Sequence, residues 1–377
     1  MKAQHLIVSA PILVGIASVG AFVAPSGRSA FQRRSSTNLI NDADSEHYNG
    51  ITQQMKLDEL FKNGIMSVEE SEKAHGMPWR DTVGSTDKEN PLLYMPFWEW
   101  QMEFMKETLT NLRVVPAKSS TSNLDFSFND NKEKKARIVN HCYASDEYRK
   151  IRMSYYDAGD NTQVFNSVWY PDPKYNLPVL GIDLLAFNRK KYLAIVDFQP
   201  LYDDEAEHAT TFEHLLRPIK DEYDSLKGRM SAKFYDETKF FSQQMLFARF
   251  EDEGVVIEDL FPAFQRYVKT HVDLVSSTEA DTQPSSVERV MTRQQEYDTY
   301  SAERDPATGL FAAMFGKAWA DEFVYDFLFS LSERAEGGLK IPPMMGGGAP
   351  GGPPPSQPQK APKQEARQIQ KVVVQRR

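Results

Sequence analysis

A single cysteine, Cys142, stands in 377 residues, which leaves no partner for a disulfide within the chain and too few thiolates for an iron–sulfur cluster. Histidine is scarce as well: the closest pair of the seven, His208 and His214, has neither helical metal spacing nor flanking ligands. There is no GxGxxG and no Walker loop, so nothing points to a dinucleotide or a nucleoside triphosphate. Neither a metal site nor a bound redox cofactor is expected. Excess positive charge is missing too. The formal charge is −9 and segregated: residues 1–37 carry +4 and residues 337–377 carry +6, leaving −19 on the body between them. Such a body repels phosphate backbones, which excludes nucleic acid as a bulk electrostatic partner. What the chain does have is apolar matter, 41% with 12% aromatic, enough for one large domain or two small ones.

Leu6 to Ala24 is free of charge, preceded by Lys2 and followed by Pro25. That is the layout of a secretory signal, and its length would also suit a membrane anchor. The next dozen residues, SGRSAFQRRSST, are rich in Ser and Arg and free of acids, as plastid transit peptides are. A signal running into a transit peptide resembles the two-part leaders of plastids bounded by extra membranes, with Ala21–Phe22 at their usual cleavage junction. Residues 1–37 therefore read as a leader to the plastid stroma of an alga with a complex plastid, and no membrane segment is expected after processing. Residues 38–118 read as a polar extension followed by a helix. Pro96 opens that helix, and Phe97, Trp100, Phe104 and Leu109 give it an apolar stripe. The main domain is placed at 119–336. From Gly337 the composition changes: 15 of the final 41 residues are Gly or Pro, which reads as a disordered basic tail.

The rest of the chain is organised around Val164 to Leu201. Three strands are expected there, at Val164–Tyr170, Val179–Phe187 and Tyr192–Phe198, joined by links too short for parallel crossovers. The second and third are apolar on both faces, so a sheet covered on both sides is predicted. Each nevertheless carries a carboxylate, Asp183 or Asp197. An aspartate between Ile182 and Leu184 is costly to leave charged, so it is hydrogen-bonded, neutralised or turned to a ligand pocket. A structural acid and a proton donor held protonated by an apolar pocket are the two readings.

Earlier strands are expected at Ala136–Ala144 and Arg149–Tyr156, and a later one at Phe240–Phe250 with Arg249 near its end. Helices are expected over Asp203–Lys227 and Leu260–Ser276, over a segment opened by a capping box at Ser285–Glu288, and through Trp319, Phe323, Phe327 and Leu331. The third of these should stop near Asp305, because Pro306 disfavours a helical residue before it.

FNSVWYPDPKYNLPVLGIDLL, YLAIVDFQPL, FFSQQMLFAR and YSAERDPATGLFAAMFGKAW together resemble the ferredoxin-dependent bilin reductases, over roughly Lys135 to Leu331. The resemblance implies an α/β fold, a three-layer α/β/α sandwich with a central antiparallel sheet, and a bilin between the sheet and the C-terminal helices. It implies reduced ferredoxin as external electron donor and no bound cofactor. Asn166 and Ser154 stand where the phycocyanobilin-forming branch has His and Glu, so the motifs resemble the phycoerythrobilin branch. The activity implied is two-electron reduction of biliverdin IXα at C15=C16. A four-electron relative and a non-catalytic bilin carrier are the rival readings. Asp183 matches the family's central proton-donating aspartate and Asp305 its helix-side aspartate, although a helix stop is the plain reading of an Asp before Pro. Asn166 would share the pocket face with Asp183. Arg249 and Arg304 would bind propionates, against the alternatives of a surface ion pair and a solvated charge. A monomer is expected, with biliverdin IXα, ferredoxin and the next bilin reductase of the route, receiving the product, as partners. Ferredoxin would need a local basic patch, either Lys132, Lys134, Lys135 and Arg137 or Lys227, Arg229 and Lys233.

Overall fold

The structure, a computed structural model, describes residues 83–84, 92–201, 205–230 and 239–334, without the side chains of 205–207. The expected leader, nearly all of the polar extension and the Gly/Pro-rich tail lie outside the described residues.

Among the described residues, eight strands form one antiparallel sheet. β1 (Arg113–Val114) and β2 (Phe128–Asn131) both pair with β3 (Ala136–Ala144). The order continues through β4 (Tyr148–Asp157), β5 (Thr162–Pro171), β6 (Val179–Phe187), β7 (Lys191–Gln199) and β8 (Leu246–Phe250). From β3 to β7 each strand pairs with its predecessor, as the short links demand. The turn from β6 to β7 sets Asn188 and Arg189 at φ of 52° and 47°, a geometry that matches the twist of the flanking strands. β8 is shorter than the strand expected from Phe240. Phe240 has a φ of 60°, and Ser242 is tied to Asp197, donating its N–H at 2.8 Å and its hydroxyl at 2.5 Å. A segment held by that buried carboxylate cannot also run extended along β7, so Asp197 acts as an architectural acid.

Alternation sends Phe165, Leu184 and Ala194 to one face of the sheet and Asn166, Asp183 and Ile195 to the other. α1 (Met95–Thr108), α2 (Glu205–Glu222) and α3 (Phe261–Ser277) cover the first face. There Phe165 meets Phe97, Trp98 and Phe264 at ring distances of 6.5, 6.1 and 6.4 Å, and Phe198 meets Phe212 at 5.7 Å. The buried stripe of α1 is Trp98, Met102 and Met105 with Phe97 and Gln101, whereas Trp100 and Phe104 are only partly buried and stack on each other. Since α1 belongs to this core, the boundary expected at residue 119 cuts through the folded body.

α4 (Pro284–Arg304), α5 (Ala307–Phe315) and α6 (Lys317–Glu322), which runs into a π turn (Phe323–Leu328), lie on the second face. Three layers result. The terminal helix expected through Trp319 to Leu331 begins after Gly316, turns into the π segment at Phe323 and ends at Leu328, short of Leu331. α5, set off from it by Gly316 with a φ of 98° that only glycine adopts cheaply, was not expected. α4 starts with Pro284 in its first turn after Gln283, so Ser285 lies inside it and does not cap it. It ends at Arg304, where Asp305 turns extended before Pro306. Buried polar contacts fix this layer to the sheet: Lys150 Nζ donates to Phe327 O at 2.5 Å and Ser330 Oγ at 2.8 Å, and Asp298 accepts from Tyr170 Oη at 2.7 Å and Leu331 N at 3.0 Å.

This cover is incomplete. Val164 and Asn166 on β5, Asp183, Leu185 and Phe187 on β6, and Leu193 and Ile195 on β7 are only half-buried, while most of their neighbours on the opposite face are buried. A strip of sheet beside α4 and α5 is thus left as a cleft. The central strands are apolar on both faces because one face packs on helices and the other lines this cleft.

Candidate active site

Ser154, Asn166, Asp183, Ile195 and Phe247 stand opposite one another across β4 to β8. Facing residues of antiparallel strands have Cβ atoms about 5 Å apart, within reach of one side-chain hydrogen bond. Asn166 Nδ2 accordingly donates to Asp183 Oδ1 at 2.9 Å. Arg152, two residues from Ser154 and so on the same face, donates from Nη1 to Asn166 Oδ1. Its guanidinium is buried, with Cζ 5.3 Å from the ring centre of Phe329. Buried Ser154 Oγ has no hydrogen-bond partner among the described residues.

Asp305 enters from the helix layer. Its Oδ1 accepts from Ala307 N at 2.8 Å, capping α5, while its other oxygen and Asp183 Oδ2 have no hydrogen-bond partner among the described residues. Burial pushes the Asp183 carboxyl up; the Asn166 hydrogen bond opposes this, the charge of Asp305 adds to it and Arg152 opposes it, with a result of about 7. Burial also raises Asp305, against the Ala307 N–H and Arg152. Both carboxyls are half-buried and border the cleft, so a molecule in the cleft meets two acids whose hold on a proton burial strengthens, Asp183 up to about 7.

The raised Asp183 pKa has a consequence for stability. Between its ordinary value of 3.8 and about 7, the folded protein keeps a proton that the unfolded chain has released, so stability falls as pH rises through that window. The full loss is present above it. Asp183→Asn removes the loss, and at about pH 8 the variant is expected to exceed the wild type by roughly 1–3 kcal/mol, discounted for partial exposure. Near pH 4 the advantage should vanish. Thermal midpoints at the two pH values measure it.

The other expected binding residues are placed apart from this pair. Arg249 pairs in register with Leu193 and so shares the face of Asp183, at the sheet edge, exposed and 5.2 Å from the Phe247 ring centre. Arg304 is not brought to the acids: it stacks at 4.2 Å on Tyr300 and pairs with Glu303 at 2.9 Å. It lines a separate cleft of about 800 Å³ along the outer side of α4, with Lys239, Arg293 and Glu296.

The chain matches the family model of the ferredoxin-dependent bilin reductases over residues 106–330. It belongs to that family. A relative from Nostoc punctiforme named 15,16-dihydrobiliverdin:ferredoxin oxidoreductase is 39% identical over 238 residues, 63% of this chain and 95% of the relative. One of the same name from Gloeobacter violaceus is 38% identical over 237 residues, again 63% and 95%. Phytochromobilin synthase from tomato, solved in complex with biliverdin, has a similar fold, with a TM-score of 0.56 at 21% identity over 63% of this chain and 82% of that one.

Sequence reasoning missed Arg152 in this bilin reductase. The argument that singled out Asp183 applies to it equally, since a cation inside a strand flanked by Ile151 and Met153 is costly to bury. Of the basic patches expected for ferredoxin, Arg137 is paired with Asp157 at 3.0 Å and Lys227 with Asp224 at 2.6 Å. Lys134 Nζ donates to Ala313 O, Lys132 and Lys135 are exposed, and Lys233 lies outside the described residues.

Proposed function

We propose that this bilin reductase takes two electrons from reduced ferredoxin and two protons by way of Asp183 and Asp305 to saturate the C15=C16 bridge of biliverdin IXα. The product is 15,16-dihydrobiliverdin, an intermediate towards phycoerythrobilin. The observation that carries this is the acid pair itself: one carboxyl from the sheet and one from the helix layer, each with a raised pKa and an oxygen that has no hydrogen-bond partner among the described residues. The names of the relatives at 38–39% identity support the regiochemistry.

The step balances as two single-electron transfers, each coupled to one proton, with the double bond becoming a single bond that gains one hydrogen on each of its two carbons. The unpaired electron resides on the tetrapyrrole between transfers. Leu185, Leu193 and Ile195 supply apolar walls that exclude water from it. Asn166 orients Asp183, and Arg249, at the edge of the same face, pairs with a propionate.

Anaerobic incubation with biliverdin IXα, ferredoxin and a reducing system, followed by chromatography of the bilins, tests the reading. 15,16-Dihydrobiliverdin as the end product is expected. Phycoerythrobilin or phytochromobilin would make the protein a four-electron reductase, and a spectral shift without any reduced bilin would make it a carrier.

A further inference from the structure

We infer that Arg152 is a positioning residue: through Asn166 it fixes which oxygen of Asp183 presents the proton to the cleft. An asparagine amide offers an acceptor at one end and a donor at the other, whereas an arginine offers donors only. Arg152 Nη1 is bonded to one end of the Asn166 amide and Asp183 to the other. Turning the amide over would set its NH2 against the guanidinium, which can only donate, losing that bond, and its oxygen against Asp183, which an ionised carboxyl cannot satisfy. Arg152 therefore forces the Asn166 NH2 toward Asp183 Oδ1. With that oxygen occupied as an acceptor, the carboxylic proton belongs on Oδ2, the oxygen that has no hydrogen-bond partner among the described residues.

Two features keep the guanidinium in place. Phe329 lies 5.3 Å beneath Cζ, and the segment carrying Phe329 is held to the sheet by Lys150. Arg152 also sets charge. Among the described residues, the charged groups facing Asp183 are Asp305, from the junction of α4 and α5, and Arg152, from β4. β5 presents Asn166 and β7 presents Ile195, neither of which titrates. One cation against two acids balances one carboxylate, so near neutral pH the trio retains one proton.

The inference rests on the proposed role of Asp183, and its test separates the two. Arg152→Met and Arg152→Lys are compared with the wild type by infrared titration of the protonated carboxyl band that disappears in Asp183→Asn, in protein without bilin. In Arg152→Met the midpoint should move up by about one pH unit or more, because the nearby cation is gone. In Arg152→Lys, which keeps the charge, it should stay near the wild-type value. Turnover should fall on the order of tenfold or more in both, because a lysine lacks the planar fork that holds the amide. In an Asn166→Leu background, Arg152→Lys should cause little further fall, because its route to Asp183 is already cut. Additive losses in the double variant, or an Arg152→Met midpoint equal to the wild-type one, would overturn the inference. If Arg152→Met fails to fold, the Arg152→Lys and Asn166→Leu pair still decides it. Wild-type protein that yields no 15,16-dihydrobiliverdin while the infrared midpoint moves as stated would sink the proposed function and leave the positioning role standing.

Discussion

Asp183→Asn is expected to bind biliverdin with nearly unchanged affinity and to lose on the order of 10²-fold or more of its 15,16-dihydrobiliverdin formation, the usual scale for removing a general acid. The amide keeps the shape of the carboxyl and can still accept from Asn166, whose NH2 lies 2.9 Å from Asp183 Oδ1. It has no proton to transfer. The first electron can still reach the bound bilin while the proton that should follow it is missing, so a one-electron-reduced bilin is expected to accumulate and persist, visible by electron paramagnetic resonance. In the wild type, turnover should decline as pH rises through about 7, because the acid must be protonated to donate. A reduced bilin formed by Asp183→Asn at the wild-type rate would remove this residue from the reaction.

Asp305→Asn separates two duties of a single side chain. One carboxylate oxygen caps α5 by accepting from Ala307 N at 2.8 Å, and an asparagine oxygen serves that cap about equally well. Stability should therefore change by less than about 1 kcal/mol. The second oxygen is the one proposed to donate, and an amide there cannot donate a carboxylic proton. Turnover is expected to fall on the order of 10²-fold while the spectrum of bound biliverdin stays close to wild type. Unchanged turnover would reduce Asp305 to a helix stop, and lost binding would make it architectural.

Much of the sheet was legible because its signals are local. β3 and β6 have the bounds that their apolar runs suggest, and the links around β5 to β7 are too short for anything but antiparallel neighbours. The helix end at Asp305 was equally plain, since the restriction imposed by Pro306 acts on the adjacent residue. Other features depend on contacts distant in sequence. Phe240 to Met245 looks like strand but is held in a turn by Asp197, some forty residues earlier. The stripe of α1 shifts from Trp100 and Phe104 to Trp98, Met102 and Met105 because the sheet, through Phe165, meets the side that carries Trp98. For the site, the cost of burying a carboxylate among apolar neighbours marked Asp183 without any homologue. Asp305 and Asn166 came from resemblance, and no local pattern joins either to Asp183. Arg304 shows the limit of adjacency: one residue from Asp305, it leaves the helix in another direction.

The central claim is that electrons come from ferredoxin and protons come through exchangeable carboxyls, with both protons added at one bridge. Turnover in D2O, with enzyme equilibrated in D2O beforehand, reads this directly when the product is purified and its deuterons are located by NMR. Each deuteron should arrive from an exchanged acid, so two are expected in the product, one on C15 and one on C16. Deuterium in the A ring, or a C15–C16 bond carrying fewer than two deuterons, would contradict the account.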